Sequence, residues 1–181
     1  MNIIVRPKGS DLCYCRPDTT WERENKDFYV PDHVGKLYWT PVVFARISKA
    51  GKCIGGKFVS RYYDAYGFGA LLYCNDAPVA FSSCADHTSR LPFPLKDVGT
   101  IGDGEVFRAF RNGEEIFNAA ADKELLEDTI CKASQTTSLR IGDFVAMELD
   151  EMQILAGNED SEVHFKGESE GTSTYDFKLI F

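Results

Sequence analysis

Val106-Phe107-Arg108-Ala109-Phe110-Arg111-Asn112-Gly113-Glu114-Glu115-Ile116-Phe117 is the stretch from which the fold is read. Two runs rich in aromatic and branched residues flank Asn-Gly, the dipeptide that best tolerates the positive φ angles of a tight type I′ turn. The stretch therefore predicts a β-hairpin. Working outward, strand character dominates. Phe28-Tyr29-Val30 reads as a short strand closed by Pro31-Asp32. Residues 38–48 form a longer strand in which Pro41 suggests an edge or a bulge, and residues 49–52 form a turn. Residues 68–74 read as a buried strand, 139–149 as strand around the turn-forming Gly142-Asp143, and 175–181 as the last strand. Helical signal is scarce. A short helix is expected over residues 57–65. A main one is expected over 119–133, where Leu126 and Ile130 recur at helical spacing.

Composition bounds the rest. The chain has 181 residues, 44% of them hydrophobic and 13% aromatic, which suits one ordered domain spanning residues 1–181. No apolar run approaches the roughly 20 residues of a membrane helix. Ile3-Ile4-Val5, followed at once by Arg6-Pro7-Lys8, is too short for a signal peptide. A cytoplasmic location and reduced thiols are expected. The six cysteines (Cys13, Cys15, Cys53, Cys74, Cys84, Cys131) match no zinc spacing and read as buried structural thiols. The net charge is −8, and residues 148–170 hold eight acids against one lysine, an expected solvated acidic face. Such a surface repels phosphate backbones, so no nucleic-acid partner is expected.

Chemical motifs are few. Gly67-Phe68-Gly69 lacks the third glycine of a phosphate loop. Asp86-His87 lies near Ser82, Ser83 and Ser89, but no nucleophile elbow surrounds a serine. His33 and His164 stand alone. Taken residue by residue, the sequence discloses no function.

The order of segments discloses more. Arg16-Pro17-Asp18-Thr19 followed by Phe28-Tyr29-Val30-Pro31 resembles the Lys-Pro-x-Ser and Ile-Pro segments of the fumarylacetoacetate hydrolase family. Residues 43–52 are similar to its strand ending in Arg-Ile and the Gly-Lys turn. Residues 57–69, with Arg61-Tyr62-Tyr63-Asp64, resemble its Tyr-Tyr-Asp helix. Asn112-Gly113-Glu114, the helix after it and Ser138-Leu139-Arg140-Ile141-Gly142-Asp143 follow in the family's order. The resemblance implies a mostly β (α+β) fold, a mixed β-sandwich roll with one main helix, assembled as a homodimer. It also implies where the family's metal would sit. Members hold Mg²⁺ or a similar ion through a Glu-x-Glu pair and a later Asp, oxygen ligands suited to a hard cation. The ungapped register puts Thr40 and Val42 at the Glu positions and Leu71 at the Asp position. The family's lysine falls near Ser83, upstream of Asp86, and its Thr-Gly-Thr-Pro is replaced by Met147-Glu148-Leu149-Asp150. The catalytic histidine loop has no counterpart.

No catalytic residue, metal ligand or cofactor is therefore assigned. Arg16, Thr40, Val42, Leu71, Ser83 and Asp86 are the pocket candidates. The expected function is a degenerate family fold acting as a non-catalytic small-molecule-binding or interaction module, a homodimer or the partner of an active paralogue. Two alternatives stand beside it. One is metal-free chemistry rebuilt on Asp86, His87, Arg16, Ser83 and Cys84. The other is a divergent hydrolase or isomerase for small keto acids or dicarboxylates.

Overall fold

The computed structural model describes residues 1–74, 82–101 and 105–181. Along the chain run β1 (Asn2–Arg6), β2 (Tyr14–Pro17), β3 (Trp21–Glu22), β4 (Phe28–Tyr29), β5 (Lys36–Ile47), β6 (Tyr63–Cys74), β7 (Ser89–Arg90) and β8 (Lys96–Asp97). Then come β9 (Val106–Arg111), β10 (Glu114–Ala120), helix α1 (Lys123–Thr136), β11 (Phe144–Glu148), β12 (Gln153–Gly157), β13 (Glu162–Ser169) and β14 (Thr172–Ile180). The larger sheet has the order β2-β1-β11-β5-β6-β7-β3, with β12 also on β5 and β8 on β6; the smaller is β10-β9-β13-β14-β4. β2 and β3 are separated by one 3-10 turn yet occupy opposite ends of the larger sheet, so that sheet must curl into a roll.

Two apolar interiors follow from strand alternation. On β5, Leu37, Trp39, Val43, Ala45 and Ile47 point to the space between the sheets, joined there by Phe68, Phe107, Phe165 and, from α1, Leu126, Ile130 and Ala133. Val42 and Phe44 point the other way, into the roll, with Ile3, Val5, Leu71, Tyr73, Leu91 and Phe144. A strand buried on both faces reads as a nearly continuous apolar run, which is what residues 37–47 are. The expected hairpin forms, with Asn112 and Gly113 at φ 50° and 84°.

Several expectations change. The short helix expected over residues 57–65 forms as a 3-10 helix over Gly56–Arg61 and stops there, because the chain enters β6 at Tyr63, where ladder pairing with β5 and the Arg46–Asp64 ion pair at 2.9 Å take over. Pro41 lies in an interior strand. Its carbonyl accepts from Leu149 N, so its missing N–H falls between the end of β11 and the start of β12, where no ladder partner is lost. The main helix starts later, at Lys123, because Asp122 caps it through Leu125 N and β10 claims Ala119 and Ala120. The acidic segment is not one solvated face. It supplies β12 and β13, with Val163, Phe165, Gly167 and Ser169 turned inward, and Glu148 is buried. Cys15, Cys53 and Cys84 are exposed rather than buried, and none of the six cysteines is joined in a disulfide. Trp39 is core, edge-on to Phe165 at 5.0 Å. Among the described residues no helix is long and apolar enough to cross a membrane.

Candidate functional site

One end of the roll is lined by aromatic rings and the other by polar groups. At the apolar end Trp21 packs on Phe144 with ring centres 5.3 Å apart. At the polar end, strand register collects the side chains. Thr40 lies directly opposite Leu71, Val42 is two residues further along the same face, and Glu148 is opposite Val42. Tyr73 is two residues beyond Leu71, and Tyr14 and Arg16 enter from β2 opposite Val5 and Ile3. The three positions that the resemblance assigns to metal ligands thus converge. All three side chains are fully buried, and two of them belong to the apolar cluster.

The polar groups form a chain. Tyr14 and Tyr73 hydroxyls are 2.6 Å apart, Tyr73 donates to Glu148 Oε1, and Lys8 N donates to Glu148 Oε2 at 3.2 Å. Burial pushes the Glu148 carboxyl above its ordinary value, against the pull of the Tyr73 and Lys8 donors and the charge of Arg16. The Tyr14 hydroxyl is pushed up to about 12, chiefly by burial. Arg16 is fully buried. Its Nη2 donates to Leu72 O at 2.8 Å and Thr88 Oγ1 at 2.6 Å, and the guanidinium lies 4.9 Å from the Tyr73 ring centre. The Thr40 hydroxyl lies beside the Glu148 carboxyl and, like Tyr73 and Lys8, opposes the upward push of burial.

A hard divalent cation does not fit these donors. The one carboxylate of the cluster, Glu148, already has both oxygens engaged, and Val42 and Leu71 offer none. Among the described residues no three His, Cys, Asp or Glu side chains come together.

The remaining candidates separate from this cluster. Ser83 is buried. Asp86 is exposed in an outer cleft of about 440 Å³, shared with Glu22 and His87. There His87 Nδ1 lies 3.3 Å from Glu22 Oε2, so the imidazole's carboxylate partner is Glu22 from β3 and not the adjacent Asp86. The sequence reading missed Tyr14, Tyr73 and Glu148. A signal existed for the last: Phe144, Ala146 and Glu148 alternate on one strand, which places a carboxyl on an apolar face.

No sequence-family model matches the chain, and no curated protein matches it. Solved structures do. Fumarylpyruvate hydrolase from Pseudomonas aeruginosa, solved with Mn²⁺ and pyruvate, superposes with a TM-score of 0.82 at 14% identity over 100% of this chain and 90% of that one. A protein from Yersinia pestis CO92 assigned to the fumarylacetoacetate hydrolase family gives 0.81 at 15% identity, over 99% and 92%. The 5-carboxymethyl-2-hydroxymuconate delta-isomerase of Mycobacterium smegmatis gives 0.80 at 13%, over 99% and 76%. The two sheets, the roll and the one long helix described above are therefore the fold of the fumarylacetoacetate hydrolase family.

Proposed function

We propose that this chain is a fumarylacetoacetate hydrolase fold without the family's metal-dependent chemistry, working as a small-molecule-binding or interaction module. The observation that carries this reading is the burial of Thr40, Val42 and Leu71 in one fully covered cluster that offers no free carboxylate. Pulling a divalent ion into such a place would desolvate it without supplying oxygen ligands in return. The test is a thermal-shift titration with Mg²⁺ and Mn²⁺, run beside a hydrolysis assay on fumarylpyruvate. An ion that binds the native state alone adds about 2.7 kcal/mol at 100 times its Kd. The expected result is no specific shift and no turnover. Metal-dependent turnover would establish the alternative, a divergent hydrolase or isomerase, and refute this reading.

The assembly proposed with it is a homodimer, or a pairing with an active paralogue of the same fold. The support is apolar surface left on the outside, including Tyr29, Phe58, Ile141 and Ile154. Sedimentation that finds only monomer at high concentration refutes the homodimer.

A further inference from the structure

The central strands of the larger sheet end together. Ile47 closes β5 opposite Tyr63, and Arg46 lies opposite Phe144 at the start of β11, so the loops over residues 48–62 and 137–143 leave the same end of the fold. Gly51 and Leu139 exchange both backbone hydrogen bonds, at 3.0 and 2.8 Å, and Gly142 N donates to Ile47 O, which fixes the two loops side by side. Buried Ile54 and Val59 anchor the first loop from beneath. Left outside are Lys49, Lys52, Lys57 and Arg61 from one loop and Arg140 from the other. Phe58 and Ile141 stand among them, 52% and 72% exposed. Residues 48–63 contain no Asp or Glu, on a chain whose net charge is −8. Among the described residues none of these five bases has a carboxylate within ion-pairing distance, whereas Arg6, Arg46, Lys96 and Arg111 each do. The acids nearby are engaged. Asp64 pairs with Arg46 at 2.9 Å, Asp143 accepts from the backbone of Asn2 and Arg140, Asp18 faces the Met1 amine at 4.0 Å, and Glu127 accepts from the Tyr63 hydroxyl.

We propose that this end of the molecule docks on an anionic lipid surface without crossing it, the five bases on the headgroups and Phe58 and Ile141 at the acyl boundary. Charge complementarity carries the choice of partner. Screening over about 8 Å at physiological ionic strength hides the chain's more distant acids, so the local positive field decides what approaches this end. Lysine is depleted at protein–protein interfaces, and three of the five bases are lysines. A basic face tipped with isolated apolar side chains suits a headgroup layer, where the cations meet acidic groups while the tips reach below them. The Arg61 guanidinium lies 5.4 Å from the Phe58 ring centre and the Lys49 ammonium 5.2 Å from that of Tyr62, which keeps both cations beside the apolar tips. This contact is separate from the cluster around Glu148 and does not depend on the metal-free reading of it.

The test is co-sedimentation of the full chain with vesicles of phosphatidylcholine alone and of phosphatidylcholine carrying phosphatidylserine at about 30%, in low and in high salt. Binding to the anionic vesicles alone is expected, and high salt should weaken it. Lys52→Glu with Lys57→Glu should reduce it by about tenfold or more. Lys36→Glu with Lys123→Glu makes the same change in net charge elsewhere on the surface and should leave binding within about twofold. Phe58→Ser should weaken binding in high salt more than in low salt, since it removes the unscreened part. All these side chains are exposed, so Tm is expected to hold. Sedimentation velocity without lipid checks the oligomeric state. A changed state in Phe58→Ser would assign Phe58 to a protein interface and overturn the proposal. So would equal binding to both vesicles, no binding to either, or equal loss from the two charge-reversed pairs. Capture by poly-glutamate without binding to the anionic vesicles would give the face to an acidic protein partner and overturn it as well. Metal-dependent hydrolysis, by contrast, sinks only the non-catalytic reading.

Discussion

Replacing Glu148 with glutamine tests whether the polar end of the roll is as dry as its geometry says. Glu148 is 6% exposed, and burial holds its carboxyl above the ordinary 4.5 despite the Tyr73 and Lys8 donors. The folded protein therefore binds this proton more tightly than the unfolded chain does. The resulting stabilisation is complete below pH 4.5 and is lost as pH rises through the folded value, at no more than about 1.4 kcal/mol per pH unit. Glu148→Gln removes the titration. The unfolding free energy of Glu148→Gln minus that of the native protein should then climb from pH 4.5 upward and level off once Glu148 is ionised. Tyr73→Phe should act in the opposite sense. It withdraws a hydrogen bond to a charged group and leaves the Tyr14 hydroxyl without its 2.6 Å partner. The expected cost at pH 7 is about 2 kcal/mol. Both are read by urea unfolding followed through tryptophan fluorescence between pH 4 and 8. A pH difference that stays flat or falls would mean that water reaches Glu148, and the account of a closed, desolvated cluster would be wrong.

Glu105 should behave in the reverse manner. Burial pushes its carboxyl up, but hydrogen bonds from Lys96, Ser169 and Tyr66 win and hold it below 4.5, so its stabilisation is present above pH 4.5 and lost on acidification. Glu105→Gln should flatten the acid limb of the urea-midpoint profile; an unchanged limb refutes this. Trp39→Ala should cost about 3–5 kcal/mol, since the ring is 1% exposed and set edge-on to Phe165 and Phe117; a loss below about 1 kcal/mol would take it out of the core. The triple substitution Thr40→Glu, Val42→Glu and Leu71→Asp puts three carboxylates on one buried face. It should strongly destabilise the metal-free protein and regain part of the loss with Mn²⁺, and a triple variant as stable as the parent without metal contradicts the register.

Features written in local chemistry were legible in the sequence. Asn112-Gly113 specifies its turn because few other residue pairs take two successive positive φ angles without strain, and the hairpin stands where the sequence places it. Alternation on β5 carried both its faces, and Leu126 and Ile130 marked the buried stripe of α1. Features that depend on remote partners were not legible. The helical signal of residues 57–65 is realised only as a 3-10 helix to Arg61, since Tyr63 and Ala65 pair with β5 instead. β13 is highly charged along one face and was hidden by counting acids instead of reading period two through Val163, Phe165 and Gly167. The site shows the same division. The sequence could place Thr40 and Val42 on one face, because two residues along a strand always share a side. That Leu71 lies across from Thr40 depends on the β5–β6 register. That Tyr14, Arg16, Tyr73 and Glu148 join them depends on β1 pairing with β11 and on the closing of the roll by β2 and β3. Burial of Arg16 against two neutral acceptors, and of Glu148 with its carboxyl pushed above the ordinary value, exists only once those distant strands have excluded water from between them.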